Sequence, residues 1–491
     1  MHSLLLAAAA SETTLRTARM LMAFSLGSHI VLSCLGIGLP VVIFLLHRRG
    51  LGLRGLRGRQ GDPDLDSLEL AHRLAKCAAV LFAVGAVSGT MLSFEMGILW
   101  PGLMGTFGDV IGMPFALEGV FFFLEAVFLG IYLYGWRGLP ARLHLMTLVP
   151  VALSGVFGTL CIVSVNAWMN NPSGFDMKEY LATGKVTDVN PWAAMFGPNT
   201  AVQFFHLLPA TYLVTGCLVA SVYASGMLKG RRDRLHRLGL VVGLGVAFAA
   251  LPVQLISGDT IARSSAKSQP AKFAASELVP ETGTNVPMVI GGVLVDGKIV
   301  GAVQVPDMLS LILGFSPSTE VTGLDAFPPE DLPPVNVVHL SFDLMVGSAT
   351  ALVGLALWTG LCQWRKKRLP ETKWWFRAVV LAGPLAVLAL EAGWTTTEVG
   401  RQPWIVQGLM RTEDAVTTQP GIPLALMAVI VVYLGMAVSL FVVLRRMSAR
   451  WRAGLEVSAP YGPGEAEELE LAHIGPESAS DPVTDAPGSA D

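Results

Sequence analysis

His29, His206, Met345 and the carboxylates Glu95, Glu118, Glu125, Glu391 and Glu398 all interrupt long apolar runs. Neutral imidazole, thioether and carboxylate are side chains that ligate iron, and a His/Met pair gripping a haem from both faces raises its reduction potential. Each residue also has a plainer reading. A buried histidine is equally a hydrogen-bonded structural group, and a methionine, one of 19 here, is a common filler of apolar gaps. Glu118 and Glu125 are seven residues apart, within about 20° on one helix face and roughly 10 Å apart along its axis. Two acids so placed can hand protons along the helix, or pair with arginines and backbone donors of neighbouring helices.

These groups matter because of the elements that must carry them. The 491 residues are 52% hydrophobic and 14% charged, against about 25% charged in a soluble domain, which excludes an ordinary soluble enzyme. Apolar segments can be drawn at about 19–46, 73–97, 114–136, 143–168, 199–227, 236–257, 337–363, 376–396 and 421–444, each long enough to span a bilayer. The first is too long for a cleaved signal peptide. An Asp, Lys or Arg at the centre of such a helix costs about 2.5–3.5 kcal/mol, so ionisable groups retained there invite a functional reading.

Basic clusters follow the odd-numbered segments: Arg48, Arg49, Arg54, Arg57 and Arg59; Arg137 and Arg142; Lys229, Arg231, Arg232, Arg234 and Arg237; Arg365 to Arg368; and Arg445, Arg446, Arg450 and Arg452. Short cytoplasmic loops are rich in Lys and Arg, so the N-terminus is expected outside and the C-terminus inside. On this topology the ionisable residues fall in the outer half, with His29 about ten residues from the outer end of its helix and His206 about seven residues into its own. Met345 has a depth similar to that of His206, Glu118 lies near the outer start of the third helix, and Glu398 lies near the outer end of the eighth. The net charge of −3 leaves no basic excess for nucleic acid. Cys34, Cys77, Cys161, Cys217 and Cys362 show no CxxC spacing and read as small buried residues. The chain thus divides into helices over 1–257, an outer connection over 258–336, helices over 337–450, and an acidic tail over 451–491 whose composition predicts disorder.

Several stretches resemble subunit I of the bacterial cytochrome bd-type ubiquinol oxidases, in its short quinol-loop, cyanide-insensitive-oxidase-like branch. They are GDVIGMPFALEG running into FFFLEAVFLGIYLYGW (108–136), VNAWMNNPSGF (165–175), VQFFH (202–206), SGD with QPAKFAASE (257–277), FDLMVG (342–347) and EAGWTTTEVGRQPW (391–404). The resemblance implies an all-α integral membrane protein holding three haems in a bundle of about nine helices. It implies oxidation of quinol at the outer face and reduction of O2 to water with cytoplasmic protons, separating charge without pumping. His206 and Met345 match the axial ligands of a low-spin haem b, His29 the ligand of the oxygen-reducing haem d (or a third haem b), and Glu398 the ligand of a high-spin haem b. Glu118 matches the position beside the oxygen-reducing iron, Glu125 an acid on the proton path, and Arg401 an arginine neutralising haem propionates. Lys272 and Glu277 match residues of quinol oxidation, where a carboxylate in reach can take a quinol proton. Implied partners are oxidase subunit II, a small single-helix subunit and the lipid of the bacterial cytoplasmic membrane. Asp343, two residues before Met345, replaces a basic or amide residue of the family. Two other readings stand beside this one: a haem-b-only or divergent paralogue, and a proton-coupled transporter without haem.

Overall fold

The computed structural model describes residues 2–54, 59–60 and 62–455, with side chains over 12–53 and 62–455. The expected acidic tail beyond Leu455 and Arg57 of the first basic cluster lie outside the described residues. Among the described residues, 9 helices are long and apolar enough to cross a membrane. Six precede the long connection: α1 (His2–Gly50), α2 (Leu65–Leu99), α3 (Pro101–Tyr134), α4 (Leu148–Asn170), α5 (Thr200–Leu228) and α6 (Arg234–Ser268). Two short helices, α7 (Pro270–Ser276) and α8 (Met308–Gly314), lie within it, and α9 (Val335–Lys366), α10 (Lys373–Val399) and α11 (Ile422–Arg452) follow. A backbone in hydrocarbon must satisfy its polar groups internally, and a helix does so within one segment. Local signals fix the ends: Asp64, Asp233 and Thr372 cap the starts of α2, α6 and α10 with side-chain oxygens.

The helices run well past the apolar segments. Consequently the expected depths need correcting, because α3 begins at Pro101 rather than near 114. Glu118 is near the middle of α3 and not at its outer start, and Glu125 lies further towards the other end. His29 likewise falls near the middle of the Glu12–Gly50 span. His206 and Met345 do lie near the starts of α5 and α9, at the end of the bundle that carries the long connection, here termed the loop end. The opposite end carries the basic clusters and is termed the arginine end.

α5 packs along α6 and α10, α9 packs on the other side of α10, α1 pairs with α2, and α3 with α4. The largest buried cluster fills the α5–α6–α10 interface with Leu213, Val214, Leu244, Trp375, Phe376 and Val379. A second cluster closes the loop end, with Trp100, Leu103, Phe107 and Trp168 against Ile405 and Val406. Leu21 and Met22 are buried in that cluster, which accounts for the apolar start of α1. Of the five cysteines, Cys34, Cys161 and Cys217 are buried, whereas Cys77 and Cys362 are half-buried; none is paired.

The connection expected over 258–336 is shorter and more ordered than a loop. Its first residues continue α6 to Ser268, and α9 starts at Val335. Between them, β1 (Met288–Ile290) pairs antiparallel with β4 (Val303–Val305), and β2 (Val293–Val295) with β3 (Lys298–Val300), one hairpin nested in the other. Gly292, at φ +84, has no room for a Cβ, which would lie 2.7 Å from Ala302 Cβ. Phe273, Ala275, Val279, Leu309, Val321 and Leu324 form a core of their own that rests on Val338 of α9.

Candidate functional site

At the loop end, Lys272, Gln269, Asn170, Asn166, Glu398 and Arg401 form one hydrogen-bonded chain. Lys272, on α7, donates from Nζ to Asn170 Oδ1 at 3.2 Å and to Gln269 Oε1 at 3.0 Å. Gln269 Nε2 also donates to Asn170 Oδ1, at 3.0 Å, and reaches Gln407 Oε1 at 3.3 Å. Asn170 Nδ2 donates to Asn166 Oδ1 one turn back on α4, at 2.9 Å, and Asn166 Nδ2 donates to Glu398 Oε1 at 2.5 Å. Arg401 closes the chain from Nη2 onto Glu398 Oε2, also at 2.5 Å. The spacing explains the assembly: Asn166 and Asn170 share a face of α4 at i and i+4, and Glu398 and Arg401 straddle the end of α10.

Arg401 is 3% exposed, yet Nε and Nη1 are buried without a partner among the described residues. Unpaired buried guanidinium donors are costly. They point to an anionic group absent from the protein itself, and a carboxylate such as a haem propionate has the bidentate geometry to take them.

His29 is bracketed by Ser88 Oγ at Nδ1 and Ser33 Oγ at Nε2, both at 2.8 Å. A Cβ on Gly89 would lie 3.0 Å from its ring, so α2 leaves a gap where the imidazole stands. His206 Nδ1 lies 3.2 Å from Ser257 Oγ on α6, and Gln254 Nε2 lies 3.3 Å from its Nδ1 and 3.4 Å from its Nε2. Met345 Sδ packs on α10 where a Cβ at Gly393 would lie 2.7 Å away. The His206 ring thus faces α6, where a Cβ at Gly258 would lie 3.6 Å from it, while Met345 faces α10. Imidazole, thioether and carboxylate donors, with an arginine that keeps two guanidinium nitrogens unpartnered among the described residues, make a donor set for haem, and these residues fit that group. Glu125 is buried, with Oε1 3.9 Å from the Cβ position of Gly36 on α1, while Glu118 is half-buried.

Lys272 and Glu277 are both buried, each 8% exposed. Burial, reinforced by the Arg401 charge and partly offset by Glu398, pushes the Lys272 ammonium down to about 7. Burial, with Asp343 nearby, pushes the Glu277 carboxyl up to about 7. An acid and a base poised at neutral pH are suited to proton transfer. Asn166, Asn170, Gln269 and Gln407 are site residues that attention to ionisable groups alone missed. The available signal was the pair of amides one turn apart near the end of an apolar segment. Glu95 is also buried, bonded to Ser25 Oγ at 2.8 Å, with Oε2 unpartnered among the described residues.

The fold is that of an all-α protein whose described residues include 9 helices long and apolar enough to cross a membrane. The sequence matches the cytochrome bd terminal oxidase subunit I family over residues 17–451, and the chain belongs to that family. It is 32% identical, over 82% of its length and 89% of the other's, to a Bacillus subtilis (strain 168) protein provisionally named cytochrome bd menaquinol oxidase subunit I. The cytochrome bd ubiquinol oxidase subunit 1 of the same organism is 31% identical over 71% of this chain and 76% of that one. A solved bd oxidase structure from Geobacillus thermodenitrificans superposes with a TM-score of 0.81 at 33% identity, covering 89% of this chain and 98% of its counterpart.

Proposed function

We propose that this subunit of a terminal quinol oxidase oxidises quinol at the loop end, on the outer face of a bacterial cytoplasmic membrane. Oxygen is reduced to water with protons drawn from the arginine end. Two quinols release four electrons and four protons, and one O2 takes up four of each to give two waters. Release on one side and uptake on the other separate charge without a pump. The arginine-rich connections support this orientation, with the N-terminus outside and the C-terminus, with its acidic tail, inside.

His206 and Met345 would hold a low-spin haem b, His29 an oxygen-reducing haem d or third haem b, and Glu398 a high-spin haem b with Arg401 on its propionates. Bound haem supplies one-electron transfer and the place where oxygen is reduced. The chain's own residues do the rest. Glu277 accepts a quinol proton at its carboxylate, and Lys272 is oriented towards the quinol by the Asn170 and Gln269 amides. Glu125, with Glu118 on the same face of α3, holds protons on the way to the oxygen-reducing site. α3 and α11 bury little of their apolar surface within the chain, which leaves faces for subunit II, a small single-helix subunit and lipid.

The observation that carries this reading is the hydrogen-bonded chain from Lys272 to Arg401, which joins a buried ammonium to arginine donors left unpartnered among the described residues. A reduced-minus-oxidised absorption spectrum of the purified complex, with haem extraction, tests it. Two b-type haems and one d-type are expected; a complex without haem would overturn the reading.

A further inference from the structure

Asn336, His339 and Asp343 lie within about 60° of one another on α9, and all three grip the backbone of the long connection. Asn336 accepts from Leu294 N–H at 2.7 Å and donates back to Leu294 O at 3.0 Å. His339, fully buried, places Nδ1 2.8 Å from Ser276 O and Nε2 3.1 Å from Gly291 O. Asp343 accepts from Gly291 N–H at 2.5 Å and lies 3.4 Å from the His339 ring. The segment held is the turn between the nested hairpins together with the end of α7. Ser276 immediately precedes Glu277.

Met345 is about 160–180° around α9 from Asn336 and Asp343. One face of the helix therefore holds the connection while the other turns the thioether towards α10. A rotation of α9 shifts both together. Backbone contacts of this kind fix position without contributing to the chemistry itself, and misplacement on the scale of an ångström is enough to slow a reaction substantially.

We propose that Asn336, His339 and Asp343 are positioning residues for quinol oxidation, clasping the connection to α9 so that Glu277 and Met345 keep a fixed separation across the helix. The inference rests on the oxidase reading above. It gives Asp343 a task in place of the basic or amide residue expected there: its carboxylate is used as a backbone acceptor.

The test compares Asp343→Ala, Asp343→Asn and Asn336→Ala in the assembled complex, with hydrogen exchange over residues 288–296 and steady-state quinol oxidation as readouts. Asp343→Ala should speed exchange of that segment and raise the quinol KM roughly tenfold. Oxygen reduction from an artificial one-electron donor should stay within about twofold, because that route bypasses the quinol site. Asp343→Asn keeps an acceptor oxygen and should restore both readouts, and Asn336→Ala should move both in the direction of Asp343→Ala. Unchanged exchange in both alanine variants would overturn the clasp. Faster exchange with an unchanged quinol KM would overturn the positioning role while leaving the oxidase reading intact. Failure of the unmutated complex to oxidise quinol would overturn the oxidase reading and the positioning role with it.

Discussion

At the arginine end, Asp64 accepts from Arg49 at 3.1 Å and from Arg234 at 2.7 Å, and both arginine side chains are more than half exposed. At the loop end, Lys272, Glu277 and Arg401 are each at least nine-tenths buried. The same residue types thus serve opposite ends differently. Exposed pairs in water hold position weakly, at about 0–1 kcal/mol each. Buried charges cost several kcal/mol to desolvate, and the loop end offsets that cost with neutral amides and leaves two guanidinium donors open. The buried groups of the arginine end are of another kind: His47 Nδ1 meets Tyr132 OH at 3.0 Å, and His144 Nε2 meets Tyr132 O at 2.7 Å. The His47 ring stacks on Trp136 with centroids 5.0 Å apart, and Trp136 Nε1 is buried without a partner among the described residues. The loop end thus holds Lys272 and Arg401 buried on one chain of amides, whereas the arginines that pair with Asp64 stay exposed.

The contrast can be broken most severely at the ligands. His206→Ala or Met345→Leu should abolish the low-spin haem signal and quinol oxidation while the helices still insert; an unchanged spectrum would refute the assignment. Arg401→Leu comes next, since it strips the half-buried Glu398 of its cation partner. Loss of the high-spin haem component on purification is the expected result, and full haem content would contradict the propionate role. Glu277→Gln tests the proton acceptor. Quinol kcat/KM should climb with pH to about 7 as Glu277 loses its proton, and fall above about 7 as Lys272 loses its charge. The glutamine variant should lack the rising limb and slow quinol oxidation more than oxygen reduction from an artificial donor, whereas equal slowing of both would count against it. The smallest effect is expected at the other end, where Arg234→Ala should change thermal stability by less than about 1 kcal/mol and leave turnover unaltered. A marked loss of activity there would erase the distinction between the two ends.

Much of this architecture is legible in the residue order, because hydrophobic length and the basic clusters are strong signals. Nine segments become nine helices, with His206 and Met345 near the starts of their helices. Depth was the weak point. GDVIGMPF before Glu118 carries Gly108, Gly112 and Pro114, residues that ordinarily end a helix, yet α3 runs through them from Pro101, and that start was hidden. The core of the long connection is hidden for a related reason. It is made of single residues such as Phe273, Leu309 and Val321, drawn from far apart, and no local periodicity reveals such a cluster. The amides that join Lys272 to Glu398 escaped notice because Asn and Gln carry no charge, and their value lies in partners that only the packing of α4, α7 and α10 supplies.

That joined path from Lys272 to Glu398 has a thermodynamic corollary. A quinol that bound at Lys272 and displaced these amides would disturb the Glu398 carboxylate on which they end, so occupancy and redox state would bias one another by equal factors, since linkage is reciprocal. A competitive inhibitor of quinol binding would then act as a redox effector, altering the voltage at which a distant pigment accepts its electron, and the direction of that change would tell which redox state the inhibitor prefers.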